Sequence, residues 1–467
     1  MSGPGTRTAA PTGLARPTDW GGYRPVAEEV SVFALDLDVV GVLPPELDGT
    51  VLRIGPNALA ASGGVGDAGG PGRRHAFTGD AMVHGLRLRS GRAEWYRNRW
   101  IRTDRVCRAL GALPTPGPRR GLSDNANDNI VRHAGRTLAL GDGGVLPVEL
   151  CPELNTIARS DLDETLPDGL CAHPERDAVT GELHAVSYLP GRNFVQYLTI
   201  DVAGRVRRCA PIELGRSPMM HAFSLTGRHA VVYDLPVVHS VAAAAGGSRV
   251  PYAWDDALGA RLGVLPVDGS TAEVRWLDVD PCYVFHPVNA YESASGIVVD
   301  VIRHERVFDA DRLSPGESRP VLWRWSLDLA RGLVEERQLA DTVEEFPRID
   351  ERFKGASHRF SFGVSMCSGT GGVLAGPALV RHDTWTGGVE LHRFGPGRQA
   401  GEAVFVARSE DAPEGDGWLL SFVYDAADDR SDLVVVDTAD FTGAPAARVR
   451  LPVRVPHGFH AGWIPAL

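Results

Sequence analysis

Short runs in which apolar and polar residues alternate cover most of the chain, and small turn-forming segments separate them. Residues 193–201 (NFVQYLTID) form one such run, a turn ending at Gly204 follows, and residues 205–208 begin the next run. Residues 321–328 and 333–339 repeat this design around another short turn. A period of two is typical of strands that bury one face, so these runs predict antiparallel hairpins.

The pattern predicts an all-β fold in a single domain. No helical period of 3.6 residues persists beyond about three turns, and 54 Gly and 33 Pro residues among 467 supply the turns that many short strands need. A β-propeller protects strand edges by radial repetition, so we expect residues 21–467 to form one propeller domain. Residues 1–20 are expected to be a disordered tail, and the less regular residues 106–124 and 240–269 to be loops on one face.

Composition and charge narrow the classes of partner. The 59 acidic and 48 basic residues give a formal net charge of -11, which leaves little basic surface for a nucleic-acid backbone. The one lysine, Lys354, lies outside any phosphate-binding Gly-Lys-Ser/Thr motif. The six cysteines contain no Cys-x-x-Cys pair, so we expect reduced thiols and a cytoplasmic location. No apolar run approaches the roughly 18 residues of a membrane-spanning helix, so any membrane contact would be peripheral.

Four of the fifteen histidines lie in unusual local settings. His173 lies in Ala-His-Pro-Glu, His221 in Met-Met-His-Ala-Phe, His286 in Val-Phe-His-Pro-Val and His460 in Gly-Phe-His-Ala-Gly. A buried histidine without a metal is the ordinary interpretation of any one of them alone, and their spacing matches no local metal motif. In a propeller, however, distant strand starts converge on the central axis, where four imidazoles would suit a divalent metal such as iron.

Four longer motifs accompany these histidines. They are residues 47–57 (LDGTVLRIGPN), 77–84 (FTGDAMVH), 96–103 (YRNRWIRT) and 345–350 (EFPRID). Together with the histidine contexts they resemble the carotenoid cleavage oxygenase family, in the family's order and from about residue 30 onward. The resemblance implies a seven-bladed β-propeller, with loops and short helices capping one face over an axial Fe(II). It also implies that the ligands of that iron are His173, His221, His286 and His460.

In this family glutamates support the histidine ligands, and the resemblance places them at Glu149, Glu345 and Glu402. An imidazole that gives one nitrogen to a metal needs an acceptor for its other N–H, which fixes the tautomer and the ring orientation. Buried carboxylates also offset the charge that four neutral imidazoles leave on the metal. Three glutamates for four histidines leave one ring without a carboxylate, by implication beside the open position. Glu345 could instead be a surface acid next to Glu344.

The resemblance implies an oxygenase that cleaves one C=C double bond of a carotenoid or apocarotenoid with O2 and gives two carbonyl products. Iron chemistry of this kind needs no protein acid or base, so the protein's task is to position a long apolar substrate. Phe285 and Phe459 are candidate walls of a substrate tunnel, and Trp100 is a further candidate substrate contact. The apolar segments 106–113 and 242–265 could form an entrance at a membrane surface.

Two other functions stay open. Stilbene-cleaving members of the family have a lysine that engages the substrate's phenol, whereas residues 140–147 contain no lysine here. Trp100 also stands where those members tend to have tyrosine. Outside the enzymes, a propeller with unmetallated histidines could serve as a carotenoid carrier or an interaction scaffold.

Overall fold

Seven β-sheets surround one axis in the computed structural model, which describes residues 21–59, 77–120, 124–366 and 374–466. The chain is therefore a β-propeller, as the strand pattern predicts, and it has the seven blades that the family resemblance implies. The tail expected at residues 1–20 lies outside the described residues. Within the described part of the chain, no helix is long and apolar enough to cross a membrane, and all five described cysteines carry free thiols.

Blades 1 to 4 take most of their strands from residues 31–279. Blade 1 consists of β1 (Ser31–Phe33), β3 (Gly49–Pro56), β4 (Ala81–Arg89), β5 (Arg92–Trp100) and β32 (Ala461–Pro465). Blade 2 consists of β6 (Asn129–His133), β7 (Arg136–Leu140), β8 (Val148–Leu150) and β9 (Thr156–Arg159). Blade 3 consists of β10 (Glu175–Arg176), β11 (Leu183–Ser187), β12 (Phe194–Ile200) and β13 (Val206–Glu213). Blade 4 consists of β14 (Phe223–Leu225), β15 (His229–Asp234), β18 (Ala260–Pro266) and β19 (Arg275–Val279), with a hairpin of β16 (Val237–His239) and β17 (Tyr252–Trp254) inserted.

Blades 5 to 7 complete the ring. Blade 5 consists of β20 (Tyr283–Ser293), β21 (Gly296–His304), β22 (Val321–Asp328) and β23 (Leu333–Gln338). Blade 6 consists of β24 (Glu344–Arg348), β25 (Phe360–Ser365), β26 (Ala378–Asp383) and β27 (Gly388–Arg393). Blade 7 consists of β28 (Arg398–Ala407), β29 (Gly417–Asp425), β30 (Arg430–Asp437), β31 (Ala447–Arg450) and β2 (Asp38–Gly41). The described helices are α1 (Asp104–Leu110), α2 (Val241–Ala245) and 3-10 turns at Gly21–Tyr23, Ala34–Asp36, Thr271–Glu273, Glu351–Phe353 and Thr438–Asp440.

One strand of each blade lines the axis: β6, β10, β14, β20, β24, β28 and β32. Each of them is an end strand of its sheet, and β14, β20, β24, β28, β32 and β6 contact one another in that order around the ring. Late strand β32 pairs with β3 in blade 1, and early strand β2 pairs with β31 in blade 7. Distant segments of the chain therefore close the ring, and residues far apart in sequence meet at its axis.

The predicted hairpins are confirmed, but both predicted loops contain regular structure, and residues 106–110 belong to α1. Residues 321–328 and 333–339 correspond to β22 and β23. Residues 240–269, expected to be a loop, contain β17 and β18, and β18 is the third strand of blade 4. Four consecutive residues in β18 are buried, because both faces of this strand are covered by neighbouring blades. A strand covered on both faces lacks the alternation that marks a half-buried one.

Candidate metal centre

Four histidine side chains meet at the propeller axis. His173, His221, His286 and His460 each present a nitrogen such that all four atoms lie within 4.8 Å of one another. The ring of His173 lies 4.4 to 5.1 Å, centroid to centroid, from the other three rings. The Nε2 atoms of His221 and His286 are 3.3 Å apart. The structure therefore brings together all four histidines selected from the sequence.

The inner strands explain this convergence. His173 and His221 lie two residues before β10 and β14, and His460 lies directly before β32. Each of these histidines is thus placed where an inner strand begins. His286 differs, because it lies within β20, where the pairing register with β21 shifts between Val284 and Pro287. A β-bulge of this kind re-aims a side chain, and here it accompanies a histidine that faces the axis.

Carboxylates accept hydrogen bonds from the second nitrogen of three of these rings. Nδ1 of His286 donates to Glu345 Oε2 at 2.6 Å, and Nδ1 of His460 donates to Glu402 Oε1 at 3.1 Å. Nδ1 of His221 donates to Asp142. Since an ionised carboxylate can only accept, each contact places a proton on Nδ1 and turns Nε2 toward the axis.

The third carboxylate is Asp142, and Glu149 does not take that position. Glu149 lies on β8, the third strand of blade 2, where it pairs with Leu138, and the described hydrogen bonds of the four histidines do not include it. Asp142 lies in the turn after β7, and it also accepts hydrogen bonds from Ala172 N at 3.1 Å and Tyr188 Oη at 3.1 Å. The available sequence signal was an acid in the Gly-rich turn at residues 141–144, directly after an apolar strand.

Backbone irregularities also accompany the two glutamates. The register of β24 with β25 shifts between Glu345 and Arg348, and that of β28 with β29 shifts around Glu402. Phe346, directly after Glu345, has φ of 57°, a left-handed conformation that is costly for an aromatic residue. Its backbone N–H donates to Glu345 Oε2 at 2.7 Å. The strained turn therefore helps to hold this carboxylate against His286.

Burial and charge set the protonation of the imidazoles. Burial, followed by repulsion from the other three histidines, holds the pKa of His173 well below its usual range. Burial also lowers the pKa of His460 to about 4, although Glu402 opposes this shift. Burial acts in the same direction on His221, but the Asp142 carboxylate outweighs it and raises the pKa of His221 to about 9. His173 and His460 are therefore neutral near pH 7, which is the form that binds metals.

The glutamates stay ionised despite their burial. Burial alone would raise the pKa of Glu345, but His286 and His304 outweigh it and the net pKa lies below the usual range. Burial likewise opposes ionisation of Glu402, and Arg348 and His460 lower its pKa. Arg348 donates to both oxygens of Glu402 at 3.0 and 3.1 Å. Three carboxylates, Asp142, Glu345 and Glu402, thus lie behind the imidazoles and favour a cation at the centre.

His173 gives the clearest test of whether a metal fits. Among the described residues, its Nε2 is buried without any hydrogen-bond partner, and no carboxylate accepts from this ring. An orphaned buried nitrogen costs free energy unless something occupies its lone pair. The other three rings direct their Nε2 atoms toward the same point, so a divalent metal with nitrogen ligands fits these four histidines.

A cavity of about 920 Å³ reaches the four-histidine centre. Its lining includes His221, His286 and His460, and both phenylalanines proposed as tunnel walls, Phe285 and Phe459. Phe77 packs edge-to-face against these two, with ring centroids at 5.8 and 5.6 Å. Three phenylalanine rings therefore form one aromatic cluster in the cavity wall.

Trp100 does not line this cavity. It is buried with Val26, Met82 and Val106 in a separate apolar cluster, and its Nε1 donates to Asn57 O at 3.0 Å. Its proposed role as a substrate contact is therefore wrong. The indole is fixed behind the wall because its one polar atom is already bonded inside the core.

Loops and short helices do cover one side of the cavity. Thr103 and Arg105 at the start of α1 line it, as do Ala244 of α2 and residues 248–252. These positions fall in or beside the two segments proposed as an entrance. Leu113, the last residue of the first segment, is 89% exposed. Contact with a membrane at this surface stays a prediction.

The chain is similar to known oxygenases over nearly its whole length. A family model described as Retinal pigment epithelial membrane protein matches residues 23–465. The carotenoid cleavage oxygenase of Mycobacterium tuberculosis (strain ATCC 25618 / H37Rv) is 42% identical over an alignment of 492 residues, which covers 94% of this chain and 96% of the relative. Among solved structures, the lignostilbene dioxygenase of Pseudomonas brassicacearum has a TM-score of 0.85 at 27% identity, covering 98% of this chain and 100% of that one. A cobalt-substituted apocarotenoid oxygenase of Synechocystis has a TM-score of 0.82 at 26% identity, covering 95% and 98%.

Proposed function

The chain belongs to the carotenoid cleavage oxygenase family, and from this premise we propose that it is an Fe(II)-dependent dioxygenase that cleaves a carotenoid or apocarotenoid. The reaction adds both atoms of O2 across one C=C double bond and breaks that bond, so each carbon leaves as a carbonyl. The observation that carries the proposal is the four-imidazole centre at the axis, with three carboxylates behind it and a large cavity before it whose wall includes the phenylalanine cluster.

Bound iron would supply the binding and activation of O2, which no side chain of this protein can perform. His173, His221, His286 and His460 would hold it. The protein's own contribution is orientation, because the Nδ1 hydrogen bonds to Asp142, Glu345 and Glu402 fix three of the rings. A preorganised ligand set of this kind avoids reorganisation when the metal binds.

The cavity supports a long apolar substrate. Its volume of about 920 Å³ lies near the upper end of the roughly 300–1,000 Å³ found for small-molecule sites. The edge-to-face cluster of Phe77, Phe285 and Phe459 offers ring faces and edges to a flat polyene. We therefore assign these rings the task of holding one double bond beside the metal and excluding water from it.

Cleavage of a stilbene is the second candidate, because a lignostilbene dioxygenase has nearly the same fold. The described cavity lining contains no lysine that could engage a phenol. Lys354, the one lysine of the chain, is instead ion-paired to Glu175 at 3.1 Å. The absence of lysine from the described lining therefore favours a polyene substrate over a stilbene.

One assay separates these functions. Fe(II)-loaded protein is incubated with β-carotene, several apocarotenals and resveratrol under ¹⁸O2, and the aldehydes are identified by mass. We expect labelled products from one or more carotenoid substrates and none from resveratrol. Labelled aldehydes from resveratrol alone would establish the stilbene activity. A protein that takes up far less than one iron per chain during anaerobic loading would support the carrier or scaffold.

A further inference from the structure

Two histidines of one blade hold the carboxylate of Glu345 from the neighbouring blade. Glu345 lies on β24 of blade 6, whereas His286 and His304 lie on β20 and β21 of blade 5. Oε2 of Glu345 accepts from His286 Nδ1 at 2.6 Å, and Oε1 accepts from His304 Nε2 at 2.8 Å. His286 is one of the four histidines at the axis, and His304 is not among them. The ligand set alone therefore does not account for His304.

The ends of two paired strands place these two histidines close together. His304 is the last residue of β21 and pairs with Tyr283, the first residue of β20. The register shift in this part of β20 then directs His286, three residues further along, toward the axis. His304 is 4% exposed and lines the cavity. The backbone of blade 5 therefore presents one imidazole to the metal position and a second imidazole to the carboxylate behind the first.

Contacts on every side fix the ring of His304. Nε2 donates to Glu345, and Nδ1 lies 3.3 Å from Ser318 Oγ. The ring also packs edge-to-face against Phe285, with the centroids 5.1 Å apart. It cannot turn away from the carboxylate without losing buried hydrogen bonds. A donor held on Oε1 in turn prevents the carboxylate from rotating, which would carry Oε2 away from His286.

A polar side chain outside the ligand set also holds each of the other two carboxylates. Arg348 donates to both oxygens of Glu402 at 3.0 and 3.1 Å, and Tyr188 donates to Asp142 at 3.1 Å. Each of these carboxylates in turn accepts from a histidine at the axis. Partners of this kind orient the ligands and tune the affinity of a metal site. His304 is the third such support.

The preceding residue forms a similar pair that does not reach the metal centre. Glu344 Oε1 accepts from His382 Nε2 at 2.7 Å, and both side chains are buried. His382 lies on β26, and neither residue is part of the described cavity lining. Two consecutive glutamates thus each accept from a buried histidine, but only the carboxylate of Glu345 also bonds to a histidine at the axis. This difference allows a structural role to be separated from a role at the metal.

We propose that His304 is a positioning residue of the metal centre. It fixes Glu345 so that Oε2 stays on Nδ1 of His286, and Nε2 of His286 stays directed at the metal position. The inference rests on the proposed function only in that it requires the metal. Without His304 the carboxylate is free to turn, and the ligand imidazole loses part of its preorganisation. The metal should then bind more weakly, although all four histidine ligands remain.

The test uses Co(II) as the probe and two amide variants of different reach. His304→Gln can place an amide N–H near the position of Nε2, whereas the shorter side chain of His304→Asn reaches only the position of Nδ1. His382→Asn is the matched control, because it removes a similar bond from Glu344. Co(II) affinity, the visible spectrum of the bound Co(II) and the thermal midpoint of the metal-free protein are measured for each.

The three variants should differ in metal binding more than in stability. We expect His304→Asn to bind Co(II) about 3- to 10-fold more weakly and to change the spectrum. His304→Gln should recover most of the affinity, because it restores a donor to Glu345. His382→Asn should lower the thermal midpoint, as His304→Asn does, but leave Co(II) affinity and the spectrum unchanged.

A double substitution checks that His304 acts through Glu345. In the Glu345→Gln variant, added His304→Asn should cause little further loss of Co(II) affinity, because the two residues share one path to the metal. Losses that add, equal losses in His304→Asn and His382→Asn, or unchanged affinity and spectrum in His304→Asn would each overturn the positioning role. If His304→Asn does not fold, His304→Phe replaces it, since it keeps the ring beside Phe285 and removes both nitrogens. A parent chain that binds no Co(II) would overturn both this inference and the proposed oxygenase.

Discussion

Glu345→Gln tests whether a carboxylate behind the ligand set controls metal binding. Glu345 Oε2 accepts from His286 Nδ1 and Phe346 N, and Oε1 accepts from His304 Nε2 at 2.8 Å. Glutamine keeps one carbonyl oxygen, so it can still accept from His286, but it loses the charge. Hydrogen bonds to charged groups contribute about 1.5–3 kcal/mol and neutral ones about 1 kcal/mol.

The expected loss in metal affinity follows from that difference. A loss of about 0.5–2 kcal/mol in the bond to the His286 imidazole, at about 1.4 kcal/mol per factor of ten, gives a decrease of about 2- to 30-fold. The assay is titration of the metal-free protein with Fe(II) under anaerobic conditions, with turnover measured at saturating iron. We expect both the affinity and the rate to fall.

Glu344→Gln is the matched control. Its carboxylate, directly before Glu345, accepts from His382 Nε2 at 2.7 Å, and both groups are buried. His382 lies on β26, away from the metal centre, so this variant removes a similar bond without touching a ligand. Iron affinity that stays within about twofold of the parent in Glu345→Gln, or that falls equally in both variants, would refute the reasoning.

Three further predictions concern other parts of the network. His286→Ala should keep the fold, judged by circular dichroism, but lose iron binding and turnover; retained activity would remove this histidine from the ligand set. Tyr188→Phe removes a donor to the carboxylate behind His221 and should lower iron affinity up to about tenfold. Tyr252→Phe is the control, because the Tyr252 hydroxyl is buried without a partner in the described residues. This variant should bind iron like the parent, and an equal loss of iron affinity in Tyr188→Phe and Tyr252→Phe would contradict the prediction. Lys354→Met leaves the partly buried Glu175 unpaired and should lower the unfolding free energy by about 1–3 kcal/mol. A second substitution, Glu175→Gln, in the Lys354→Met variant should recover most of the lost unfolding free energy, measured by urea unfolding.

The sequence predicts the four histidines at the axis better than the carboxylates that support them. A candidate ligand is recognisable from its residue type and from its position at a strand start, and His173, His221 and His460 have both. Glu149 was a wrong choice because its place in β8, away from the axis, depends on which strand of blade 2 is innermost. That order is a property of the assembled sheet, and local sequence around Glu149 does not contain it.

Features that depend on close packing were also missed. The bulges at His286 and Glu345 arise from pairing with β21 and β25, and neither is visible in an alternation pattern. Trp100 has the size and apolar character of a cavity residue, yet its indole faces the core behind the wall. The fold class follows from short-range periodicity, whereas the lining of a cavity follows from how neighbouring blades are turned toward one another.

The seam between β3 and β32 links metal binding to the integrity of the whole ring. His460 stands directly before β32, so peeling this strand from blade 1 would carry one imidazole away from the other three. A metal that binds only the closed ring must make such opening rarer, by about 2.7 kcal/mol when its free concentration is a hundredfold above its dissociation constant. The metal would then stabilise the closed ring. In metal-depleted protein, proteases should cut at this junction well before the remaining blades unfold.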